Sequence, residues 1–398
     1  MKLLEGIKIV DFTQAHAGSL CTMILADFGA EVIKIERPGV GDLARFWAPF
    51  KNDASGYYAY LNRNKNSISV DGSSEEGRKI LLDLIKDADI VTENFKYGSM
   101  ERMGLSYETI REVNPEIIYA SLNGYGQTGP MKNTIGLDLQ LQAGSGLMDR
   151  TGFPDGAPTK GGPAMGDQLS GTYMATAIML ALIEKQKTGK GQKIDIAIYD
   201  CLFSILEAAP ITYCMFGKVP DRVGNSYPSI SPYDTFKTKD GYVAIGISTD
   251  RQWQKFCDVL GMEDLKNNEL YKTNESRGDH YEDGLRQAIE DVTTKMSKFD
   301  IEQKMWDAHL ACGAVYTVTE AMKTEQVKAR NMLVEVFDES IGEKIRIPGT
   351  IIKMSETPGG IEAGAPVIGR DTIKYLTRLG YTEEQIGRLA EEKIVQLP

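Results

Sequence analysis

One carboxylate, Asp167, stands between a glycine-rich loop and a long apolar segment, a placement that suits nucleophilic chemistry. The six residues before it, 161–166, read GGPAMG and break regular structure. Residues 168–187 predict a buried helix, because they are apolar over most of the circumference between Tyr173 and Ile183. Free N–H groups at a helix N-terminus can hold an anion, and glycines let a substrate approach the backbone. Asp167 is therefore a candidate nucleophile; alternatively it only caps the helix, as Asp commonly does.

The segments on either side of Asp167 predict the elements that would position it. Gly189 and Gly191 predict the end of the helix, and a strand follows at 194–198. Upstream, predicted strands alternate with predicted helices: the strands are 7–12, 31–36, 67–71, 90–93 and 117–122, and the helices are 19–28, 75–86 and 107–113. Such alternation is typical of a parallel sheet covered on both faces, so we expect a Rossmann-like α/β domain.

The second half of the chain predicts a smaller α+β domain. A helix is expected from Asp200 to about Phe216, and the stretch 223–232 (VGNSYPSISP) indicates a linker or lid because it is rich in small residues and proline. A strand at 242–247 precedes charged amphipathic helices that extend to Leu310. We therefore expect a large domain over 1–224, a small domain over 225–325, and a C-terminal segment, 326–398, that returns to the large domain.

The C-terminal segment contains a predicted strand at 345–352 and a predicted helical pair, 371–379 and 383–390. The pair resembles a helix-turn-helix in outline, but its second helix is acidic, which argues against DNA binding. We expect the pair to pack on the sheet instead.

Composition narrows the classes of function. The 398 residues carry 45 Lys and Arg against 56 Asp and Glu, a net charge of −11, so a nucleic-acid surface is not expected. The longest apolar run, 175–183, is too short to span a bilayer, and the first residues lack a signal-peptide pattern, so a cytoplasmic protein is expected. Five scattered cysteines indicate reduced thiols, and three histidines far apart in sequence make a metal site improbable.

Nicotinamide binding is a weak alternative. The loop after the first strand, DFTQAHAGSL, has one glycine where a dinucleotide fingerprint has three. Glu36 closes the second strand as a ribose-binding acid would, but without the fingerprint it is interpreted as a polar loop residue.

Seven segments, in order along the chain, resemble the family III CoA-transferases, the CaiB/BaiF group that contains formyl-CoA and carnitine CoA-transferases. They are LEGIKIVDFTQAHAG, ADFGAEVIKIERPGVGD, NRNKNSISVD, TENFKYGSMERMGLSYE, YASLNGYGQTGP, GDQLSG and KTGKGQKIDIAIYD. The resemblance implies an interlocked homodimer that takes CoA esters and carboxylic acids as substrates and holds no tightly bound cofactor.

The resemblance also implies roles for individual residues. Asp167 would be the covalent nucleophile. The loop after the first strand would line the pantetheine of CoA, and at His16 the formyl-CoA branch carries Gln. The nucleotide and phosphates of CoA would be held by Arg37, Asn94, Phe95 and Arg102. Some family members have Lys where this chain has Asn123. The implied CoA contacts are Gln14, Ala15, His16, Ala17, Arg37, Asn94, Phe95, Arg102 and Asn123.

Three alternatives stay open. An α-methylacyl-CoA racemase of the same superfamily needs a second base, and its histidine is replaced here by Leu137 in the segment Gly136-Leu137-Asp138. An NAD-dependent oxidoreductase would need the missing glycines. A non-catalytic CoA-binding protein would have no need of Asp167. The stretch 223–232 also lacks the glycine run of formyl-CoA transferase, which favours a different acceptor acid.

Overall fold

The computed structural model describes residues 2–227 and 229–398, which form two compact units. The first unit contains Met1–Leu147, Lys160–Glu207 and Glu325–Pro398, and the second contains Met148–Thr159 and Ala208–Thr324. The second unit thus begins at Ala208, before the boundary predicted at 225, and it also takes a short upstream segment. The predicted lid stretch, 223–232, includes Pro228, which lies outside the described residues.

The N-terminal part of the first unit alternates strands and helices. Its strands are β1 (Lys8–Asp11), β2 (Glu31–Glu36), β3 (Phe50–Lys51), β4 (Ala54–Ser55), β5 (Asn66–Val70), β6 (Ile90–Glu93), β7 (Ile118–Asn123) and β8 (Lys193–Ala197). Its helices are α1 (Ala17–Asp27), α2 (Gly56–Leu61), α3 (Glu75–Lys86), α4 (Ser99–Arg102), α5 (Tyr107–Val113), α6 (Asp138–Gly144), α8 (Met165–Thr188) and α9 (Ile198–Ser204); α7 (Leu147–Arg150) begins in the first unit and continues into the second. Residues Leu43–Phe46 form a short 3₁₀ helix.

The remaining elements follow in chain order. Those beginning in the second unit are α10 (Ala208–Phe216), β9 (Tyr233–Thr238), β10 (Gly241–Gly246), α11 (Asp250–Leu260), α12 (Glu263–Lys266), α13 (Asn274–Asp279), α14 (Arg286–Thr293), α15 (Lys298–Asp307), β11 (Ala311–Ala314) and α16 (Val318–Lys323). The C-terminal part of the first unit adds α17 (Glu325–Ala329), β12 (Leu333–Asp338), β13 (Glu343–Pro348), α18 (Thr372–Arg378), α19 (Glu383–Glu391) and β14 (Val395–Gln396).

A seven-stranded sheet organises the first unit, in the order β14-β5-β2-β1-β6-β7-β8. All neighbours pair in parallel except β14, which runs antiparallel to β5 with Val395 opposite Val70. Strand β1 lies between β2 and β6, so the chain leaves β1 toward one edge and later returns to its other side. At such a switch point the loops after neighbouring strands separate and leave a crevice at the carboxyl ends of the strands.

Alternating side chains place one apolar layer on each face of this sheet. In β1, Ile9 belongs to the layer that includes α1 and α8, whereas Val10 belongs to the opposite layer. The opposite layer also contains Tyr375 and Leu376 of α18 and Ile386 of α19. The predicted helical pair therefore packs on the sheet, as expected, and the mixed α/β class is confirmed.

The second unit has its own apolar core. Its sheet, in the order β11-β10-β9, is antiparallel, and buried side chains of the strands and helices pack together around Trp253 and Phe256. The single helix predicted from Asp200 to Phe216 is wrong. Helix α9 ends at Ser204 and α10 begins at Ala208, and Glu207 between them has a positive φ of 51°, which a helix cannot contain.

Neither a single membrane-spanning helix nor a metal-binding cluster is found among the described residues. Within 2–227 and 229–398 no single helix is long and apolar enough to cross a bilayer, although α9 and α10 taken together across their break pass by length and composition. In the same ranges no group of three or more His, Cys, Asp and Glu side chains could hold a metal ion.

Candidate active site

The loops that follow β1 and β6 are tied together at the switch point of the sheet. The Gln14 N–H donates to Oδ1 of Asn94, and Nδ2 of Asn94 donates to the Gln14 carbonyl, both at 2.8 Å. The side-chain amide of Asn94 thus fixes the loop after β1 through a reciprocal pair of hydrogen bonds. Both residues were predicted to contact CoA, and the structure brings them together.

A buried ion pair also fixes the loop after β1. Oδ1 of Asp42 accepts from the Ala15 N–H at 2.9 Å, while its Oδ2 lies 2.6 Å from Nζ of Lys34. Lys34 also donates to the Thr13 carbonyl at 2.8 Å, and both charged side chains are fully buried. Ala15 has a φ of +62°, which an L-residue rarely adopts, so these contacts hold the backbone in a conformation that it would not keep unaided.

The prediction that Glu36 is a polar loop residue is wrong. Its side chain is buried and forms an ion pair. Glu36 is the last residue of β2, and Arg45 donates to both of its carboxylate oxygens at 2.7 and 2.8 Å. The Ser67 hydroxyl donates to it as well, at 2.6 Å. These contacts keep the pKa of Glu36 below its ordinary value despite its burial, so it is anionic and already partnered.

Helix α8 carries Asp167 in its first turn. The helix begins at Met165, three residues before the predicted start, and its N-cap position is Ala164, whose side chain cannot cap. Asp167 therefore does not cap the helix itself. The cap comes from elsewhere in the sequence: Oδ1 of Asp138 accepts from the Gly166 N–H at 2.8 Å.

Helix α6 anchors both ends of the glycine-rich loop before Asp167. Gln142 is fully buried; its Oε1 accepts from the Gly161 N–H at 2.9 Å and its Nε2 donates to Oδ2 of Asp138 at 2.7 Å. Asp138 in turn holds Gly166. This chain of hydrogen bonds defines the entry into α8 and places Asp138 beside the candidate nucleophile.

Two glycines around Asp167 are required by close packing. A Cβ on Gly166 would lie 2.6 Å from Cγ2 of Ile198 and 2.9 Å from Oδ1 of Asp138, so a side chain there would displace the cap. A Cβ on Gly171 would lie 2.4 Å from the Ala17 carbonyl oxygen in α1. The spacing in GDQLSG therefore lets α8 approach α1 and Asp138 closely.

The side chain of Asp167 is half-buried in the first turn of α8. No hydrogen bond or ion pair to its side chain is formed by residues 2–227 or 229–398. Burial, together with the nearby negative charge of Asp138, raises the pKa of Asp167 to about 7. A buried, unpaired carboxylate is unfavourable for stability, and such groups concentrate at functional sites.

Asp167 opens into a cleft of about 500 Å³ at the carboxyl edge of the sheet. The cleft brings together eight of the ten residues predicted for the site: Gln14, Ala15, His16, Ala17, Asn94, Phe95, Asn123 and Asp167. Two side-chain nitrogens of lining residues, Nε2 of His16 and Nδ2 of Asn123, are buried and have no hydrogen-bond partner among the described residues. The other amide atom of Asn123, Oδ1, accepts from the Gly126 N–H at 2.6 Å.

A neighbouring pocket of about 360 Å³ shares Gln14 and Phe95 with the cleft. Its lining is largely apolar and includes Arg37. Arg102, also predicted to hold phosphate, lines neither space; its side chain is exposed and donates to the Ser99 hydroxyl at 2.8 Å. The structure thus gathers nine predicted residues around two adjoining spaces and leaves Arg102 outside them.

Sequence reasoning missed several cleft residues. Asp138 was considered only because a histidine is absent before it, and its role as a cap depends on a partner 28 residues away. Trp47 and Lys132 line the cleft from loops outside the seven family segments, and Lys96 lies within one of them without having been assigned a role. Lys132 lies 3.3 Å from the Tyr97 hydroxyl, and neither lysine forms an ion pair within the described ranges.

Comparison with known proteins gives a consistent result over nearly the whole chain. The sequence profile described as CoA-transferase family III matches residues 4–372. A succinate–glutarate CoA-transferase of Agrobacterium fabrum is 37% identical, covering 94% of this chain and 95% of the relative. A succinyl-CoA:mesaconate CoA-transferase of Haloarcula hispanica is also 37% identical, covering 96% and 97%. A crystal structure of a CAIB/BAIF family protein from Brucella suis superposes with a TM-score of 0.87 at 34% identity, covering 95% of this chain and 99% of that one.

Proposed function

This chain belongs to the family III CoA-transferases and is an enzyme that transfers CoA, and from that premise we propose that it works through covalent intermediates on Asp167. The observation that carries the proposal is the half-buried carboxylate of Asp167, which lies in the first turn of α8, lines the cleft and has no partner among residues 2–227 and 229–398. A purely structural carboxylate in this place would be expected to have a partner.

The proposed cycle consists of four balanced acyl exchanges. An oxygen of Asp167 attacks the thioester carbonyl of the donor; the C–S bond breaks, and a mixed anhydride and CoA thiolate form. The thiolate attacks the aspartyl carbonyl, which releases the donor acid and leaves an aspartyl-CoA thioester. The acceptor carboxylate attacks that thioester, and the released thiolate then attacks the acceptor carbonyl of the second anhydride. Asp167 is regenerated without water or redox change.

We propose a dicarboxylic acid as the acceptor. The two relatives are named for succinate, glutarate and mesaconate, all of them dicarboxylic acids. Lys96 and Lys132 supply positive charge at the cleft of a protein whose net charge is −11, and a second carboxylate would be attracted there. Incubating succinyl-CoA with glutarate and following glutaryl-CoA by mass spectrometry tests this; transfer to butyrate at an equal kcat/KM would contradict the dicarboxylate assignment.

A homodimer is also part of the proposal, because the family resemblance implies one. Helix α8 leaves large apolar side chains exposed beyond the first turns, among them Leu180 and Ile183. Exposed apolar side chains on one element favour an interface.

The rate of transfer should depend on the protonation of Asp167. Since only the carboxylate attacks, we expect log(kcat/KM) for the acyl-CoA to rise by about one per pH unit below pH 7 and to level off above it. The variant Asp138→Asn removes a neighbouring charge that raises this pKa, so the inflection should move to lower pH.

The matched control for Asp138→Asn is Glu184→Gln, an exposed carboxylate in the same helix, α8, which should leave the inflection in place. Initial rates from pH 5 to 9 at saturating acceptor provide the measurement. An inflection that is identical in Asp138→Asn and wild type would mean that Asp138 does not act on the group that titrates.

CoA phosphates should be held by Arg37, which lines the apolar pocket. Arg37→Ala is expected to raise KM for the acyl-CoA about tenfold with a small effect on kcat, as expected for a charge-assisted contact. The same assay on Arg102→Ala tests the second predicted arginine, and Arg111→Ala, an exposed arginine of α5, is the control. If Arg37→Ala and Arg111→Ala give the same KM, Arg37 has no part in binding.

A further inference from the structure

His16 lines the cleft and has a buried ring nitrogen, Nε2, with no hydrogen-bond partner among the described residues. Its side chain is 7% exposed, and Nδ1 is hydrogen-bonded to the Tyr57 hydroxyl. Nε2 is enclosed and has no hydrogen-bond partner among residues 2–227 and 229–398. Leaving a buried donor or acceptor unpaired is unfavourable for stability. An unpaired nitrogen in a residue that lines the Asp167 cleft is therefore available for a ligand atom.

The contact with Tyr57 is compatible with a neutral His16 that carries its proton on Nε2. Burial lowers the pKa of His16, and the charge of Asp138 opposes this only in part, so the ring is neutral at pH 7. Burial and the charge of Asp167 raise the pKa of Tyr57 to about 12, so its hydroxyl keeps its proton. The only described acceptor for that proton is Nδ1 of His16. With Nδ1 accepting, the ring proton resides on Nε2.

The surroundings of Tyr57 and His16 fix the geometry of this pair. Trp47 packs edge-on against Tyr57 with ring centroids 5.5 Å apart, and the Tyr57 and His16 centroids are 5.6 Å apart. His16 occupies the N-cap position of α1, but its side chain makes no capping hydrogen bond, so the ring is not engaged by its own helix. The next residue, Ala17, lines the same cleft as Asp167.

From this arrangement we propose that His16 is a catalytic residue whose neutral Nε2–H donates to the oxyanion formed when Asp167 attacks the acyl thioester, and that Tyr57 is the positioning residue that holds its tautomer. The inference rests on the proposed covalent function. As the Asp167 C–O bond forms, the carbonyl electron pair moves to oxygen and is stabilised by the hydrogen bond; it returns when the C–S bond breaks. No proton leaves His16.

A neutral donor suits this site better than a cation would. A cation beside Asp167 would stabilise its carboxylate before attack and weaken it as a nucleophile. A neutral N–H interacts most strongly with charge that develops on the substrate, which is the property that lowers the barrier.

Three variants test the proposal, with kcat and KM measured for transfer and folding checked by thermal unfolding. His16→Leu removes the donor and should lower kcat about 100-fold or more, with KM for the acyl-CoA changed less than about threefold. His16→Gln restores an N–H donor and should stay within about tenfold of wild type. Tyr57→Phe removes the hydroxyl that keeps the His16 proton on Nε2, and it should lower kcat about tenfold. His280→Leu, a histidine of the second unit, is the matched control and should keep the wild-type kcat.

The outcomes separate this inference from the function on which it rests. If wild type forms the Asp167 adduct and folded His16→Leu retains the wild-type kcat, the oxyanion role is overturned and the covalent mechanism stands. His16→Gln as slow as His16→Leu, with both folded, would also overturn it, because a donor would then be insufficient. Absence of the adduct in wild type would remove the covalent mechanism itself.

Discussion

Replacing Asp167 by Asn should abolish CoA transfer, with kcat reduced at least about 10⁴-fold. The amide has nearly the same shape but cannot attack a thioester, so neither the anhydride nor the aspartyl-CoA thioester can form. Binding of the acyl-CoA should change little, because the predicted CoA contacts lie on other elements of the cleft. Transfer followed by mass spectrometry and binding followed by calorimetry measure the two effects separately.

Thermal unfolding is the control for Asp167→Asn. The raised pKa of Asp167 means that its carboxylate destabilises the fold above the ordinary pKa of Asp, and that this loss grows until pH passes about 7. The variant removes that charge, so at pH 8 its unfolding midpoint should equal or exceed that of wild type. A variant that is folded and still transfers CoA at the wild-type rate would contradict the proposed role of Asp167.

Gly171→Ala should both destabilise the enzyme and slow it, although Ala is the better helix former. The new Cβ would lie 2.4 Å from the Ala17 carbonyl oxygen, so α8 and α1 must move apart. Overpacking of this kind costs about 1–3 kcal/mol. Asp167 is on α8 and Ala17 lines the cleft at the start of α1, so the same movement misaligns the site, and an error near 1 Å can cost about 100-fold in rate.

Gly387→Ala is the matched control for this prediction. Gly387 lies in α19, where an added Cβ would meet no atom within 4 Å. There the change should raise the free energy of unfolding by up to about 1 kcal/mol and leave kcat unchanged. If Gly171→Ala is as stable and as active as Gly387→Ala, the close approach of the two helices does not position the nucleophile.

Local sequence patterns predicted the strands of the sheet and the helices between them, because these patterns depend on residues close together in the sequence. The bounds of β2, β6 and α3 agree with the structure to the residue, since alternation and a capping serine define them within a few positions. The start of α8 could not be predicted in this way. Its cap is supplied by Asp138, so the helix begins before Asp167 and not after it.

Site residues in the loops that follow strands could be predicted from the sequence. Contacts between residues far apart in the sequence could not. Eight of the predicted residues share the Asp167 cleft because the carboxyl ends of parallel strands lie at one edge of the sheet. The contact between His16 and Tyr57 joins residues 41 positions apart, and the ion pair of Lys34 and Asp42 buries two charges that sequence patterns assign to the surface. Such pairs follow from tertiary packing.

Trapping the covalent intermediate tests whether Asp167 is the nucleophile. Wild-type enzyme incubated with succinyl-CoA, without acceptor, then treated with hydroxylamine and digested, should yield a modified peptide whose modification lies on Asp167. The same peptide from Asp167→Asn should be unmodified. Modification of a different acid, or transfer at the wild-type rate with no modified peptide under conditions that trap a known acyl-aspartate, would contradict the mechanism.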